Sequence, residues 1–195
     1  MIPLTIREAI NNCIAHQDYL LGGKINVIEN EDDNLIFTNL GSFIPGTIEN
    51  VIESDAPPEY YRNRFLVNAM VNVNMIDTIG SGIKKMFISQ KEKFFPLPEY
   101  DFSNKRVKLT IIGKVLDMQY AKKILQMPNL DLKTIMALDK VQKRKKLTKY
   151  ENKELRKKGL IEGKHPNLFI SRAVAQELDE KGEYMRMKGI EDDYI

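Results

Sequence analysis

Apolar residues recur at helical spacing near the start of the chain. Placed on a helix from Ile6 to Gln17, Ile6, Ile10 and Ile14 line one side with Cys13 beside them, while Glu8, Asn12 and His16 line the other at i, i+4, i+8. Gly22-Gly23 ends that segment in a tight turn. Lys24 to Asn30 and Leu35 to Asn39 then read as two strands of an antiparallel hairpin, with Glu31 to Asn34 as its turn. A glycine-punctuated loop, Asn39 to Gly46, follows. Residues 47–64 carry little pattern and predict an exposed excursion leading into a helix over Phe65 to Val73. Gly80-Ser81-Gly82 opens a further helix, Pro96 and Pro98 mark a loop, and Val107, Leu109 and Ile111 alternate as a closing strand.

From Lys114 onward the pattern is mostly helical. Val115 to Met127 predicts one helix, Asp131 caps a second over Leu132 to Lys143, and Thr148 caps a third over Lys149 to Lys158, ended by Gly159. Residues 160–162 and 168–170 flank a basic tip as a hairpin, and Ser171 caps a last helix to about Met187. Three short helices and a hairpin is the order of a winged helix-turn-helix domain. In that fold the third helix lies in the DNA major groove, and the wing touches backbone or minor groove.

Charge supports this division. Residues 1–100 hold 8 Lys/Arg and 13 Asp/Glu, a net of −5; residues 101–195 hold 22 and 14, a net of +8. Ten Lys/Arg and two Glu fall between Lys140 and Lys158. Candidate DNA contacts are Lys143, Arg144, Lys145, Lys146, Lys149, Lys153, Arg156 and, at the wing, Lys164. Such density favours phosphate contact over base reading, and a solvated face or protein-contact module has the same composition. No apolar run approaches the ~20 residues of a spanning helix, no secretory signal pattern opens the chain, and one cysteine permits no internal disulfide. A cytoplasmic location away from membranes is the default expectation.

The candidate chemistry is sparse. His16 and His165 are the only histidines, no Cys/His cluster suggests zinc, and no phosphate-binding loop of the G-x-x-x-x-G-K-[ST] type occurs. A carboxylate, an amide and an imidazole in one row could hold a metal ion, a phosphate or a water, or could simply be the wetted face of an amphipathic helix. A G-S-G at a helix start offers bare N–H groups to a phosphate, although glycines also start helices for conformational reasons.

The segments REAINNCIAHQDY with GG, FTNLGSFIPG, YYRNR and IGSGIKKM, in that order over residues 3–112, resemble the C-terminal region of RecG-related, Schlafen-AlbA-type transcriptional regulators. The stretch LRKKGLIEGKHPNLFISRAVAQ is similar to the winged helix that follows in that family. The resemblance implies an α+β fold: a GHKL-like (Bergerat-type) helix/sheet sandwich over residues 1–113, followed by a winged helix-turn-helix domain with a C-terminal helix over 114–195. It implies ATP and Mg²⁺ as ligands. Glu8 matches the water-orienting, catalytic Glu of the GHKL N-box and Asn12 its Mg²⁺-binding Asn. Asn39 and Gly41 fall at the adenine-pocket D-x-G, and Gly80, Ser81 and Gly82 at the second glycine box. Three positions depart from pattern. Asn39 replaces the adenine-reading Asp, N-L-G stands for the family's N-P-G, and Arg62-Asn63-Arg64 stands for R-N-P.

The expectation is thus a fragment of a DNA-associated regulator whose nucleotide domain is coupled to a winged helix. An AlbA-like domain would precede Met1, and a homo-oligomer is left open. A degenerate scaffold that binds no nucleotide is the first alternative and a weak ATPase the second.

Overall fold

In the computed structural model the first helix, α1, spans Pro3–His16, and a 3-10 turn, Tyr19–Leu21, follows it. The structure describes residues 3–31, 33–53, 61–76, 81–93, 95–115, 130–164 and 167–171. The chain divides into two units, 1–116 and 117–195. In the first unit, β1 (Asn26–Asn30) and β2 (Asn34–Leu40) are followed by three helices, α2 (Ile48–Glu53), α3 (Arg64–Asn72) and α4 (Gly82–Glu92). Then come β3 (Glu99–Asp101) and β4 (Arg106–Ile112). The four strands form one antiparallel sheet in the order β1-β2-β4-β3.

Strand period places every second side chain on one face. Phe37 pairs with Leu109, and Leu35 with Ile111. These residues meet Ala9 and Cys13 of α1 and Met86 of α4 in the main core. A second cluster joins Ala15 of α1 to Val67 and Met70 of α3. The first unit is therefore a mixed α+β structure with helices packed on an antiparallel sheet. Gln90 is fully buried near the end of α4, and its Nε2 donates to Pro96 O at 3.2 Å and Ile112 O at 2.9 Å. One side chain thus fastens the helix to the end of β4.

The excursion expected over 47–64 is corrected at both described ends. Ile48, Val51 and Ile52 are buried at i, i+3, i+4 spacing on α2, and Arg62 and Asn63 are half-buried and hydrogen-bonded. The helical period was present there, but over six residues it is too short to stand out.

In the second unit, α5 (Leu132–Gln142), α6 (Lys149–Lys157) and a hairpin of β5 (Ile161–Lys164) and β6 (Asn167–Ile170) surround one core. It comprises Ala137, Leu138, Val141, Leu155, Leu160 and Ile161. Of the three sequence-read caps, the two whose helices are described both form. Asp131 accepts from Thr134 N at 2.9 Å, and Thr148 and Glu151 make a reciprocal capping box. The helix expected over Val115 to Met127 lies outside the described residues except for Val115, which is not helical, and the one expected to about Met187 lies outside them beyond Ser171. No described helix is long and apolar enough to cross a membrane.

Asp131 and Glu151 make this unit sensitive to acid. Burial alone would raise the Asp131 carboxyl, but hydrogen bonds from Lys158 and Thr134 outweigh it and hold the group well below its ordinary 3.8. Glu151 is likewise lowered: burial opposes, and hydrogen bonds from Lys140 and Thr148 prevail. A depressed carboxylate favours the folded state while ionised, so its contribution is complete above the unfolded value and declines as pH falls below it. Asp131→Ala should cost about 1 kcal/mol at neutral pH. In thermal denaturation series the gap from the parent chain should narrow steadily below pH 3.8, and a pH-independent gap would refute the assignment.

Candidate functional site

The polar row of α1 is not a wetted face. Glu8, Asn12 and His16 are all half-buried, and the intervening Asn11 is buried with its Nδ2 donating to Met75 O at 2.7 Å. Asn12 Nδ2 donates to Glu8 Oε1 at 3.0 Å, the i, i+4 contact that helical spacing allows. Glu8 in turn lies against the start of α4. A Cβ built on Gly82 would fall 1.6 Å from Glu8 Oε1, so the first residue of that helix can carry a side chain only if Glu8 moves.

Gly82 lacks the positive φ that reserves a position for glycine. Space, not conformation, is therefore what glycine supplies there, and a larger residue would have to push the Glu8 carboxylate aside. The first turn of α4 contains no acidic residue of its own, so the Glu8 carboxylate is the negative group that complements the positive end of the helix dipole. Ser81 precedes the helix without capping it through its side chain, and its Oγ is buried with no hydrogen-bond partner. Glu8, Asn12, Ser81 and Gly82 thus form one locus; Gly80 lies outside the described residues. Tyr100 belongs to this neighbourhood too. Its phenol is pushed far up by burial, then by the negative charge of Glu8. Sequence reading missed it because β3 is only three residues long, behind a proline loop. Burial also pushes the Cys13 thiol up to about 12, which makes it a core residue and no nucleophile.

Asn39 and Gly41 sit in a second neighbourhood, at the C-terminal end of α1. Asn39 is buried on β2, with Nδ2 donating to Leu40 O at 3.2 Å. Gly41 has φ 118°, and a Cβ there would lie 3.1 Å from Arg62 Nε. The Arg62 guanidinium therefore lies over Gly41. It donates to His16 O (3.2 Å) and Ser42 O (3.0 Å) and pairs with Asp18 at 3.4 Å. Asn63 Nδ2 donates to Ala15 O (3.1 Å) and Gln17 O (2.7 Å). His16 stacks on Tyr61 with ring centroids 5.8 Å apart, and burial, then Arg62, holds its pKa below the ordinary 6.5. Arg62 and Asn63 of the YYRNR motif thus cap a helix end.

Around Tyr100, Phe43 and Phe102 stack at 4.5 Å, and Phe87 lies parallel to Tyr100 at 6.4 Å. Among the described residues no group of three or more His, Cys, Asp and Glu side chains could hold a metal ion. A cation at Asn12 and Glu8 would take its remaining oxygens from a bound ligand.

The basic candidates of the second unit are divided. Lys143 pairs with Asp139 at 2.9 Å. Arg156 donates to Asn152 Oδ1 and to Gly163 O, tying α6 to β5. Arg144, Lys145 and Lys146 lie exposed in the turn between α5 and α6, Lys149 and Lys153 are exposed on α6, and Lys164 is exposed at the hairpin.

Residues 22–111 match the family model described as "Putative ATP-dependent DNA helicase recG C-terminal". The match includes Asn39, Gly41 and Gly82 and begins after Glu8 and Asn12. The chain is also similar to the crystal structure of the DIP2311 protein from Corynebacterium diphtheriae, with TM-score 0.58 and 19% identity over 91% of its residues. That likeness shows a shared fold, and the chain spans 42% of that protein's length. No curated protein matches the chain.

The steric contact at Gly82 is directly testable. In Gly82→Ala the Glu8 carboxylate must leave the helix start and Asn12. Because the displaced atoms end a flexible side chain, overall stability should change by no more than about 1 kcal/mol. The Asn12 side-chain amide resonances should shift in NMR spectra, and unchanged resonances would count against the locus.

Proposed function

We propose that the first unit is an ATP-binding, GHKL-like domain and that the second is a winged helix contacting DNA, together forming part of a nucleotide-responsive regulator. The juxtaposition of Glu8, Asn12 and Gly82 carries the nucleotide reading. Two residues from α1 and the start of α4 meet where a side-chain amide, a carboxylate and the first turn of a helix converge. Mg²⁺ takes hard oxygen ligands and keeps several for phosphate and water, which suits this donor set. Asn12 would hold the ion through its amide oxygen, and α4 would present N–H groups to a phosphate. Bound Mg²⁺ would supply neutralisation of polyphosphate charge. Glu8 would yield the helix start to the ligand and accept a proton from, or orient, a nearby water. The match to a RecG C-terminal model supports this reading at the level of family.

A second reading, a degenerate scaffold used in assembly, draws on Arg62. Its guanidinium already covers Gly41, and Asn39 offers an amide where the GHKL adenine pocket has a carboxylate. Calorimetric titration with Mg-ATP separates the two. The nucleotide reading expects saturable heat, weakened about tenfold or more in Asn12→Ala, a loss of at least about 1.4 kcal/mol. Absence of heat at millimolar ATP would leave the scaffold.

For DNA, the support is the exposed basic turn and helix, Arg144 to Lys149 and Lys153. Binding through several phosphates should weaken by orders of magnitude between about 50 and 200 mM salt. Alanine at Arg144, Lys145, Lys146 and Lys149 should flatten that dependence. A salt-independent affinity would instead assign the basic surface to protein contacts.

A further inference from the structure

α6 divides between a buried and an exposed side. Leu155 is buried in the core of the second unit. Lys149, Tyr150, Lys153, Arg156 and Lys157 lie at helical spacing on the side turned to solvent, and all five are exposed. One aromatic residue thus stands among four cations. Among the described residues of the second unit no other large apolar side chain is exposed, and Tyr150 shows 64% of its surface. A lone exposed aromatic is ordinary by itself; its position is not. Tyr150 is the second residue of the helix, and the N-terminal residues of a recognition helix are those that contact base edges in the major groove.

The neighbouring side chains narrow what could read a base there. Of the acids on the helix, Glu151 accepts from Lys140 and from Thr148 N, and Glu154 is half-buried at the border of the exposed side. Arg156 and Asn152 are the side chains of α6 with a planar, two-point fork for a purine edge. Arg156 donates to Asn152 Oδ1 at 2.9 Å and to Gly163 O, so the two forks hold each other. The lysines act as compact point charges suited to phosphate. Tyr150 is left as the side chain with a shape to read, an apolar ring ending in one hydroxyl. In the major groove an apolar surface is matched by the methyl group of thymine.

Given a DNA-contacting winged helix, on which this role rests, we propose that Tyr150 is the specificity-determining residue of α6. Its ring packs on a thymine methyl in the major groove while Lys149 and Lys153 hold phosphates beside it.

Selection by the 195-residue chain from a pool of duplexes with a randomised centre should enrich sequences that share a thymine. Tyr150→Ala should bind the enriched duplex about tenfold more weakly, the size of one good base contact, and bind a scrambled duplex nearly as the parent does. Lys149→Ala combined with Lys153→Ala should weaken both duplexes alike and reduce the salt dependence. Deoxyuridine in place of the selected thymine removes only the methyl group. It should weaken binding by the parent chain and make no difference to Tyr150→Ala. Circular dichroism checks that each variant is folded. Bound duplexes without a shared thymine, an equal loss on both duplexes in Tyr150→Ala, or deoxyuridine weakening both chains alike would overturn the role of Tyr150 and leave DNA contact standing. Failure of the parent chain to bind any duplex at low salt would remove that contact and the role with it.

Discussion

The first unit depends on how the end of α1 is closed. The last carbonyls of a helix have no partner inside it, and leaving them buried and unpaired costs as much as losing hydrogen bonds outright. Here Ala15 O and Gln17 O accept from Asn63, and His16 O accepts from Arg62. Gln17 extends the closure to the sheet. Its Oε1 accepts from Leu40 N at 2.8 Å, its Nε2 donates to Gly23 O at 3.0 Å, and Asp18 N donates to Leu40 O at 2.8 Å. Beyond the last paired residues of β1 and β2, this one side chain stands in for missing strand pairing. The rotation of α1 is set by these bonds, and that rotation turns Glu8 and Asn12 toward α4.

The residues that make these bonds share a chemistry. Asn11, Gln17, Asn63 and Gln90 are all amides that reach backbone groups distant in sequence. An amide offers both donor and acceptor and carries no charge, so it can be buried without the desolvation cost of an ion. It also stays unchanged across the whole pH range. The second unit uses ions instead: Lys158 with Asp131 at 2.8 Å and Lys140 with Glu151 at 2.6 Å. The amides of the first unit are insensitive to acid, whereas His16 is not. Its pKa is held below the ordinary 6.5 in the fold, so its protonation as pH falls opposes folding.

Regular elements were legible where one local rule fixes them. Asp131 and Thr148 sit at their helix starts because an N-cap needs only its own helix, and the hairpin of β1 and β2 announced itself by two strands around a polar turn. What escaped were elements whose reason lies elsewhere in the chain. β3 exists because β4 offers it an edge, α2 because three apolar side chains find a core, and Arg62 and Asn63 because a helix ends beside them. Gln17 reads in sequence as the last polar residue of an amphipathic helix, and its bonds to Leu40 and Gly23 carry no local signal. The same holds for His16, which spacing grouped with Glu8 and Asn12 but which the fold assigns to Tyr61 and Arg62.

Gly82 shows how geometry decides between readings that sequence leaves equal. A glycine at a helix start can serve conformation or proximity. Its backbone is free of positive φ, and its missing Cβ is the space occupied by Glu8. Proximity is therefore the operative reason. Gly41 differs: its φ of 118° needs glycine regardless of neighbours, and Arg62 then takes the space above it. One glycine thus marks where two helices approach through a carboxylate, and the other where a loop is fastened to a helix end. At the second, the guanidinium is itself held by His16, Asp18 and Ser42, so the loop and the helix end are fastened through one side chain.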